Sequence, residues 1–485
     1  MTGRTLLFTL GQILARVGDL LIAVLLVRIL RPAEWSTVAL ILSIYAAAIG
    51  VGGLGLPESL LFFLGRIPRA DHRRFVVQTS LLLAGTGAIA ATIVLFVGPV
   101  FHASPFALPQ LLPWLALAIL LEVPTLGAPL LLLAEERVFG SAAWNAIAAL
   151  LRCLCVTGPI LLGRGVTGAL YGLVVYATLR LIAFVILTLR LTEKTGPLRL
   201  DRASVRYQIA YTAPLGLSIL AASLNTSIGK WIVAGWDSLH LGAFAIAATQ
   251  VPVVPILATS AGAVLATRMV HAFHHGLIDQ ARAYWLAAVA RMILVVAGVT
   301  AGCIVAAPEL LRVLFGGKYP EAVLPFQICS LLLLHRIADH GGTLRAAGDT
   351  PSLWRASWLV LALNAGFGIV ATRFFGMLGM AVATLLATLI YWLFLLSRIA
   401  RATGARLGTI VPWGLYARAV LLAATAAVLA ALAARWAPPS AVLHLVIKGG
   451  VFVALYVAGV HGLGLPRLLP AVPDDHSAFR SDAAA

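Results

Sequence analysis

Eight charged side chains sit inside apolar stretches of this chain: Arg16, Asp19, Glu122, Arg152, Arg180, Lys230, Arg291 and Arg336. A charge at the centre of a bilayer costs roughly 3 kcal/mol on insertion scales, and such residues are retained where they face a wet, protein-lined path. Six of the eight are cations, so such a path suits an anion. Arg16 and Asp19 are three residues apart and share a helix face; they read either as an oriented anion contact or as a mutually neutralised pair. Arg152 and Arg180 have no acid near them in sequence. They read as cavity lining, with pairing to Glu122 as the alternative. Lys230, five residues beyond Asn225, reads as a substrate contact or as a cation snorkelling outward beside Trp231 and Trp236. Arg336 and Asp339 repeat the three-residue spacing, flanked by His335 and His340; they read as a gate or proton-linked site, or as an ion-pair network at a helix end. Arg291 favours interfacial snorkelling, and Arg418 and Lys448 read as anchors.

Composition sets the elements that must position these groups. The chain has 485 residues, 61% hydrophobic and only 11% charged, against about 25% charged in an ordinary soluble domain. With a mean hydropathy of +0.99, the fold class is an all-α polytopic membrane protein. About fourteen transmembrane helices are predicted, near 5–30, 36–58, 75–98, 112–134, 140–162, 168–190, 208–235, 242–267, 284–306, 323–344, 354–373, 378–398, 414–435 and 442–462. The net charge of +17 is spread over short loops and forms no continuous groove, so nucleic acid is not expected as a partner. Arg66, Arg69, Arg73 and Arg74, then Arg190, Lys194, Arg199, Arg202 and Arg206, then Arg398, Arg401 and Arg406 fall on one side; the other side carries scattered charges such as Arg31, Arg164, Lys318 and Arg373. The positive-inside rule makes both termini cytoplasmic.

Other chemistry finds little support. Cys153, Cys155, Cys303 and Cys329 all lie in apolar runs and imply no disulfide framework. His271, His274 and His275 could share a helix face as metal ligands, but they lack neighbouring cysteines, and a solvated basic face is the simpler reading. No nucleophile elbow, phosphate-binding loop or cofactor motif is present, so neither enzymatic activity nor a cofactor is expected. Gly50, Gly52, Gly53, Gly55 and Pro57, with Pro124, Pro129, Pro252 and Pro255, suggest either hinges or close helix packing.

A weak internal repeat runs at an offset of about 210 residues. "LAEERVFGSAAW" resembles "LRAAGDTPSLWRASW", "VTGALYGL" resembles "MLGMAVAT", and "FALPQLLPWLALAILL" resembles "YPEAVLPFQICSLLLL". An offset of six spans preserves orientation, which gives two parallel six-helix lobes. The domains expected are an N-terminal lobe over 1–206, a C-terminal lobe over 207–406, two further helices over 407–465 and a cytoplasmic tail over 466–485.

The stretches "LVRILRPAEWSTVALILS", "GLGLPESLLFFLGR", "NTSIGKWIVAGWDSLHLGAFAIA", "LLRVLFGGKYPEAVLPFQICSLLL" and "LRAAGDTPSLW" carry a family likeness. The chain resembles the oligosaccharide-lipid flippases (Wzx-type polysaccharide biosynthesis proteins) of the multidrug, oligosaccharidyl-lipid and polysaccharide exporter superfamily. Two departures are Ser36, where a glycine is usual, and Asn225, where an acid is common, which removes a charge role there. The resemblance implies a two-lobed bundle with a central cavity, alternating access, and a polyprenyl-pyrophosphate-linked oligosaccharide as cargo, in a bacterial cytoplasmic membrane. On that expectation Arg16, Arg152, Arg180, Lys230 and Asn225 contact substrate, while Asp19, Glu122, Arg336 and Asp339 serve coupling or gating. The expected partners are lipid-linked oligosaccharide, membrane lipids, a proton or sodium gradient, and polysaccharide polymerase machinery. The alternatives are a drug or organic-ion antiporter of the same superfamily and, less favoured, a membrane glycan ligase or polymerase; the latter would need outer loops larger than those near 98–111 and 307–322.

Overall fold

The computed structural model describes residues 18, 20–97, 108–192, 202–249 and 268–470. Among them are helices and turns and no strand. In lipid a backbone must satisfy its own polar groups, and a chain this apolar does so by coiling into helices. In order these are α1 (Leu20–Ile29), α2 (Pro32–Gly53), α3 (Ser59–Leu64), α4 (Arg69–Val97), α5 (Leu112–Glu122), α6 (Ala128–Ala134), α7 (Val138–Leu161), α8 (Gly165–Leu191), α9 (Arg202–Trp236) and α10 (Leu241–Ala247). They continue with α11 (Ile278–Phe315), α12 (Val323–Leu331), α13 (His340–Ala346), α14 (Thr350–Ala402), α15 (Leu407–Ile410), α16 (Trp413–Ala434) and α17 (Ala441–Gly462).

Eleven stretches among the described residues are long and apolar enough to cross a membrane. One of them, α14, has 53 residues, which would be about 80 Å if straight, far beyond a bilayer. Gly376 breaks it with φ 57° and ψ −144°, a conformation open to glycine. The carboxylate of Asp237 accepts a hydrogen bond from the Met377 backbone N–H at 2.8 Å and holds the kink. α14 therefore supplies two spans. The shorter apolar helices Leu20–Ile29 and Ser238–Ala247 stand where the first and eighth spans are predicted. The chain is a multi-pass all-α membrane protein. Side chains such as Phe96, Phe374 and Phe375, each more than two-thirds exposed, are at home on a lipid-facing surface.

The residues group into two compact units. One lies within Met1–Thr249 together with Ser357–Thr384, the other within Gln250–Ala356 together with Leu385–Ala485. In the first unit glycines let helices meet at the backbone. A Cβ on Gly50 would lie 2.0 Å from Ser223 Oγ, and one on Gly216 would lie 2.4 Å from the Leu54 carbonyl oxygen. Of the glycines closing the second span, Gly50 and Gly55 thus serve close packing against α9, while Gly52 and Gly53 face Val123 and Leu126 at the break in span 4.

Local structure repeats along the chain as the sequence suggests. Span 4 is interrupted by a 3₁₀ turn at Val123–Thr125 and span 10 by one at Leu332–His335. Each then resumes as a seven-residue helix, α6 or α13. Each ends in the same C-cap: Glu136 N–H to Leu133 and Arg137 N–H to Leu132 in one, Gly348 N–H to Arg345 and Asp349 N–H to Leu344 in the other. The left-handed residue of the cap is Glu136 (φ 59°) in the first and Gly348 (φ 77°) in the second. Gly168 and Gly379 likewise both pack on the preceding span, against Pro159 and the Ala371 carbonyl.

Candidate functional site

The first unit gathers charge around the break in span 4. Pro124 lacks an N–H and cannot continue the hydrogen-bond ladder of α5, which ends at Glu122. Thr125 Oγ1 donates to the Glu122 carbonyl at 2.7 Å and ties up part of the freed backbone. Tyr176 and Arg180 lie four residues apart on one face of α8. Arg180 Nη1 donates to Glu122 Oε1 at 2.5 Å and to Tyr176 Oη at 2.9 Å. The ion pair is buried, with 13% of the arginine side chain and 5% of the glutamate exposed. Glu122 Oε2 and Arg180 Nε, both buried, have no hydrogen-bond partner among the described residues.

Arg152 reaches this cluster because α7 and α8 pack unusually close. A Cβ on Gly172 would fall 1.7 Å from the Cys155 carbonyl oxygen, so only glycine permits that approach. Arg152, one turn before Cys155, lies over the Tyr45 ring of α2 at 5.8 Å from its centroid. Its charge acts on both Tyr176 and Arg180. Four helices therefore contribute to one polar cluster of two guanidiniums, one carboxylate and two phenols. Of the alternatives for Arg180, pairing with Glu122 is what the structure shows, while Tyr45 and Tyr176 were not singled out from sequence. The spacing of Tyr176 to Arg180 was the available signal for one of them. Arg16 and Asp19 lie outside the described residues.

Lys230 and Asn225 occupy a different part of the same unit. Asn225 Oδ1 accepts from Asn364 Nδ2 at 3.0 Å, and Asn364 Oδ1 accepts from Thr384 Oγ1 at 3.0 Å. This neutral ladder joins α9 to both halves of α14, with no charge at Asn225. Lys230, partly buried in α9, makes no hydrogen bond or ion pair with a described residue.

In the second unit the break in span 10 is held differently. Asp339 caps α13, accepting from Gly342 N–H at 2.8 Å, and its other oxygen lies 3.9 Å from Arg345. Gly342 has no room for a side chain there, since a Cβ would lie 2.3 Å from Asp339 Oδ2. His340 Nε2 accepts from Trp392 Nε1 at 3.1 Å, so the ring is a neutral imidazole with its proton on the other nitrogen. Trp285 packs edge-on against His340 and donates to the Ile410 carbonyl at 2.8 Å. His335 Nδ1 contacts the Leu332 carbonyl. Arg336 lies beside both histidines.

Three further placements answer the sequence. Lys448, read there as an anchor, instead forms a buried ion pair with Glu309 at 2.7 Å, with His444 at 3.9 Å from the same carboxylate. Arg291 bonds back to the Ala287 carbonyl at 2.9 Å. The four cysteines are free thiols, and among the described residues no three His, Cys, Asp or Glu side chains converge to hold a metal. In the turn after span 10, burial pushes the Asp349 carboxyl up, but the hydrogen bonds and charge of Arg398 together with the hydrogen bonds of Ser352 outweigh it and hold the group below its ordinary value.

A multi-pass bundle with broken spans and buried charge is the build of a membrane transporter, and solved structures share the fold. A lipid II flippase, MurJ, in an inward closed conformation superposes with a TM-score of 0.71 at 12% identity, covering 94% of this chain and 99% of that one. An inward-facing multidrug resistance MATE family transporter of the MOP superfamily gives 0.61 at 16% identity, covering 80% and 96%. An outward-facing multidrug resistance MATE family transporter of the MOP superfamily gives 0.52 at 14% identity, covering 83% and 96%. The profile of the polysaccharide biosynthesis protein family matches residues 3–273, more than half of the chain. The chain belongs to that family. No curated protein sequence matches it significantly.

Proposed function

We propose that this protein is a flippase that moves a polyprenyl-pyrophosphate-linked oligosaccharide across the cytoplasmic membrane of a bacterium for cell-surface polysaccharide assembly. It works by alternating access through a cationic central cavity, with an N-terminal lobe over 1–206, a C-terminal lobe over 207–406 and both termini in the cytoplasm. Family membership and the flippase-like fold support a membrane carrier of lipid-linked cargo. The observation that carries the finer reading is the cluster of Glu122, Arg180, Tyr176 and Arg152, buried within apolar spans, in which Arg180 Nε and Glu122 Oε2 lack partners among the described residues. Buried polar groups are normally satisfied, and a bound ion or ligand is one way in which open ones are completed. An arginine N–H suits a pyrophosphate oxygen, and a carboxylate oxygen suits a proton or sodium ion. In this reading Arg16, Arg152, Arg180, Lys230 and Asn225 meet the cargo, and Asp19, Glu122, Arg336 and Asp339 carry coupling or gating. No step requires catalysis by the chain, and a polysaccharide polymerase is the natural recipient of the flipped product.

A drug or organic-cation antiporter of the same superfamily would want a carboxylate free for its substrate. Glu122 is the one acid of the cluster among the described residues, set against two guanidiniums, so the cluster as a whole is cationic and suits an anion better than an organic cation. The test is reconstitution into vesicles with a short polyprenyl-pyrophosphate glycan and a leaflet-specific probe. Wild type is expected to move the probe, with loss in Arg152→Ala and Lys230→Ala variants that still fold. Full activity in both would reject these contacts. Transport of an organic cation with no glycan-lipid movement would favour the antiporter.

A further inference from the structure

At the ends of α3, α4 and α9, within the first unit, lies a cavity of about 550 Å³, in the size range of small-molecule sites. It is remote in sequence from the charge cluster and unused by the transport reading. Its wall is aromatic: Phe62, Phe63, Phe75 and Tyr207. Arg66 also lines it and lies 3.5 Å over the centroid of the Phe62 ring. Phe62 in turn stacks on Tyr211 at 4.2 Å, and Tyr207 meets Phe63 edge-on at 5.5 Å.

The chemistry of this cavity is that of a lipid with an anionic head. The aromatic wall offers an apolar slot for a chain at the end of membrane-crossing helices. A guanidinium lying over a ring keeps its N–H edge free, and that edge matches two oxygens of a phosphate. Arg66 is exposed and has no acidic partner among the described residues. The first turns of α4 and α9 carry Arg69, Arg73, Arg202 and Arg206, with Asp71 in the same stretch and Glu135 paired to His72. These are the arginines that assign this face to the cytoplasmic leaflet, where anionic phospholipids attract juxtamembrane basic residues.

We infer that this cavity is a binding site for an anionic membrane phospholipid, its phosphate on Arg66 and one acyl chain against the wall formed by Phe63, Phe75 and Tyr207. The site does not depend on the transport reading. The test is native mass spectrometry of the full-length protein released from nanodiscs of equal phosphatidylglycerol and phosphatidylcholine, counting retained lipids. Wild type is expected to retain phosphatidylglycerol preferentially. Arg66→Ala should reduce that retention by about fivefold, the effect of one basic residue at a charged membrane surface. Ala203→Trp, which fills the cavity from its exposed rim and keeps every charge, should reduce it comparably. Arg435→Ala, which removes an exposed arginine elsewhere, should leave it unchanged. Equal retention of both lipids, or equal retention in all four proteins, overturns the site. Retention of added polyprenyl diphosphate with none of phosphatidylglycerol also overturns it, in favour of the cargo lipid. If Arg66→Ala does not fold, Ala203→Trp decides alone.

Discussion

In the span Leu112–Ala134 the break is clamped by charge, Glu122 to Arg180; in Pro320–Ala346 it is clamped by a neutral pair, His340 to Trp392. The backbone on either side is alike: a 3₁₀ turn, a seven-residue helix, a left-handed cap and a glycine contact on the following hairpin. Both clamps reach to the span two positions on. The difference lies in what each clamp leaves over. The histidine and tryptophan use the groups they present and sit in an aromatic core with Trp285 and Tyr416. The glutamate and arginine leave an oxygen and an N–H unsatisfied among the described residues. The neutral clamp itself offers no charge to a ligand, and the charged groups of that break are Arg336 and Asp339 beside it; in the proposed reading the first clamp meets cargo and the second break serves gating.

The strongest way to break this comparison is to remove the charged clamp. Arg180→Met leaves an uncompensated buried carboxylate and should cost about 3–5 kcal/mol. Adding Glu122→Leu removes that carboxylate and should recover most of the loss, because an apolar pair of similar volume replaces a buried ion pair at little cost. Thermal unfolding in detergent, followed by size-exclusion recovery, measures both. Transport should stay absent in the double variant. Restored transport would show that the pair serves folding alone.

This pair also marks where sequence reasoning stopped. The spans were legible because a bilayer demands about 20 apolar residues for each crossing, and the helices fall where the apolar runs are. The break in span 4 was legible in Pro124. The break in span 10 has no proline within it and comes from the capping by Asp339 and the tight approach at Gly342. Which cation meets Glu122 was not legible. Arg152 and Arg180 are both mid-span, and the choice depends on helix rotation and on the 1.7 Å constraint at Gly172, which are tertiary facts. Asn225 to Asn364, a contact across 139 residues, was hidden for the same reason.

A smaller effect should follow at that glycine. In the repeat, Gly172 aligns with Ala383, which is 1% exposed and tolerated where it stands. Gly172→Ala must instead push α7 from α8, at about 1–3 kcal/mol, and carry Arg152 away from Arg180. A lower melting temperature with weakened cargo binding is expected. An alanine accepted at 172 without change would mean that the two hairpins pack alike after all.

On the neutral side, Trp392→Phe removes one hydrogen bond to His340 and keeps the ring. The expected loss is about 1 kcal/mol, read as a modest fall in melting temperature, with vesicle transport retained. Loss of transport as complete as in Arg180→Met would erase the functional distinction between the breaks.

The smallest change is one the repeat itself prescribes. Glu136 takes a left-handed backbone conformation (φ 59°) at the position where the second copy has Gly348 (φ 77°). A side chain in that region costs roughly 1–2 kcal/mol relative to glycine. Part of this returns through the greater freedom glycine gives the unfolded chain. Glu136→Gly should therefore raise stability by up to about 1 kcal/mol, provided the carboxylate of Glu136 has no task of its own. The neighbouring Glu135 is the acid engaged in that turn, at 2.8 Å from His72. A gain in melting temperature with unchanged transport would make the two caps equivalent and confine the functional asymmetry to the break. A loss would mean that Glu136 holds something in the first unit that Gly348 does not hold in the second.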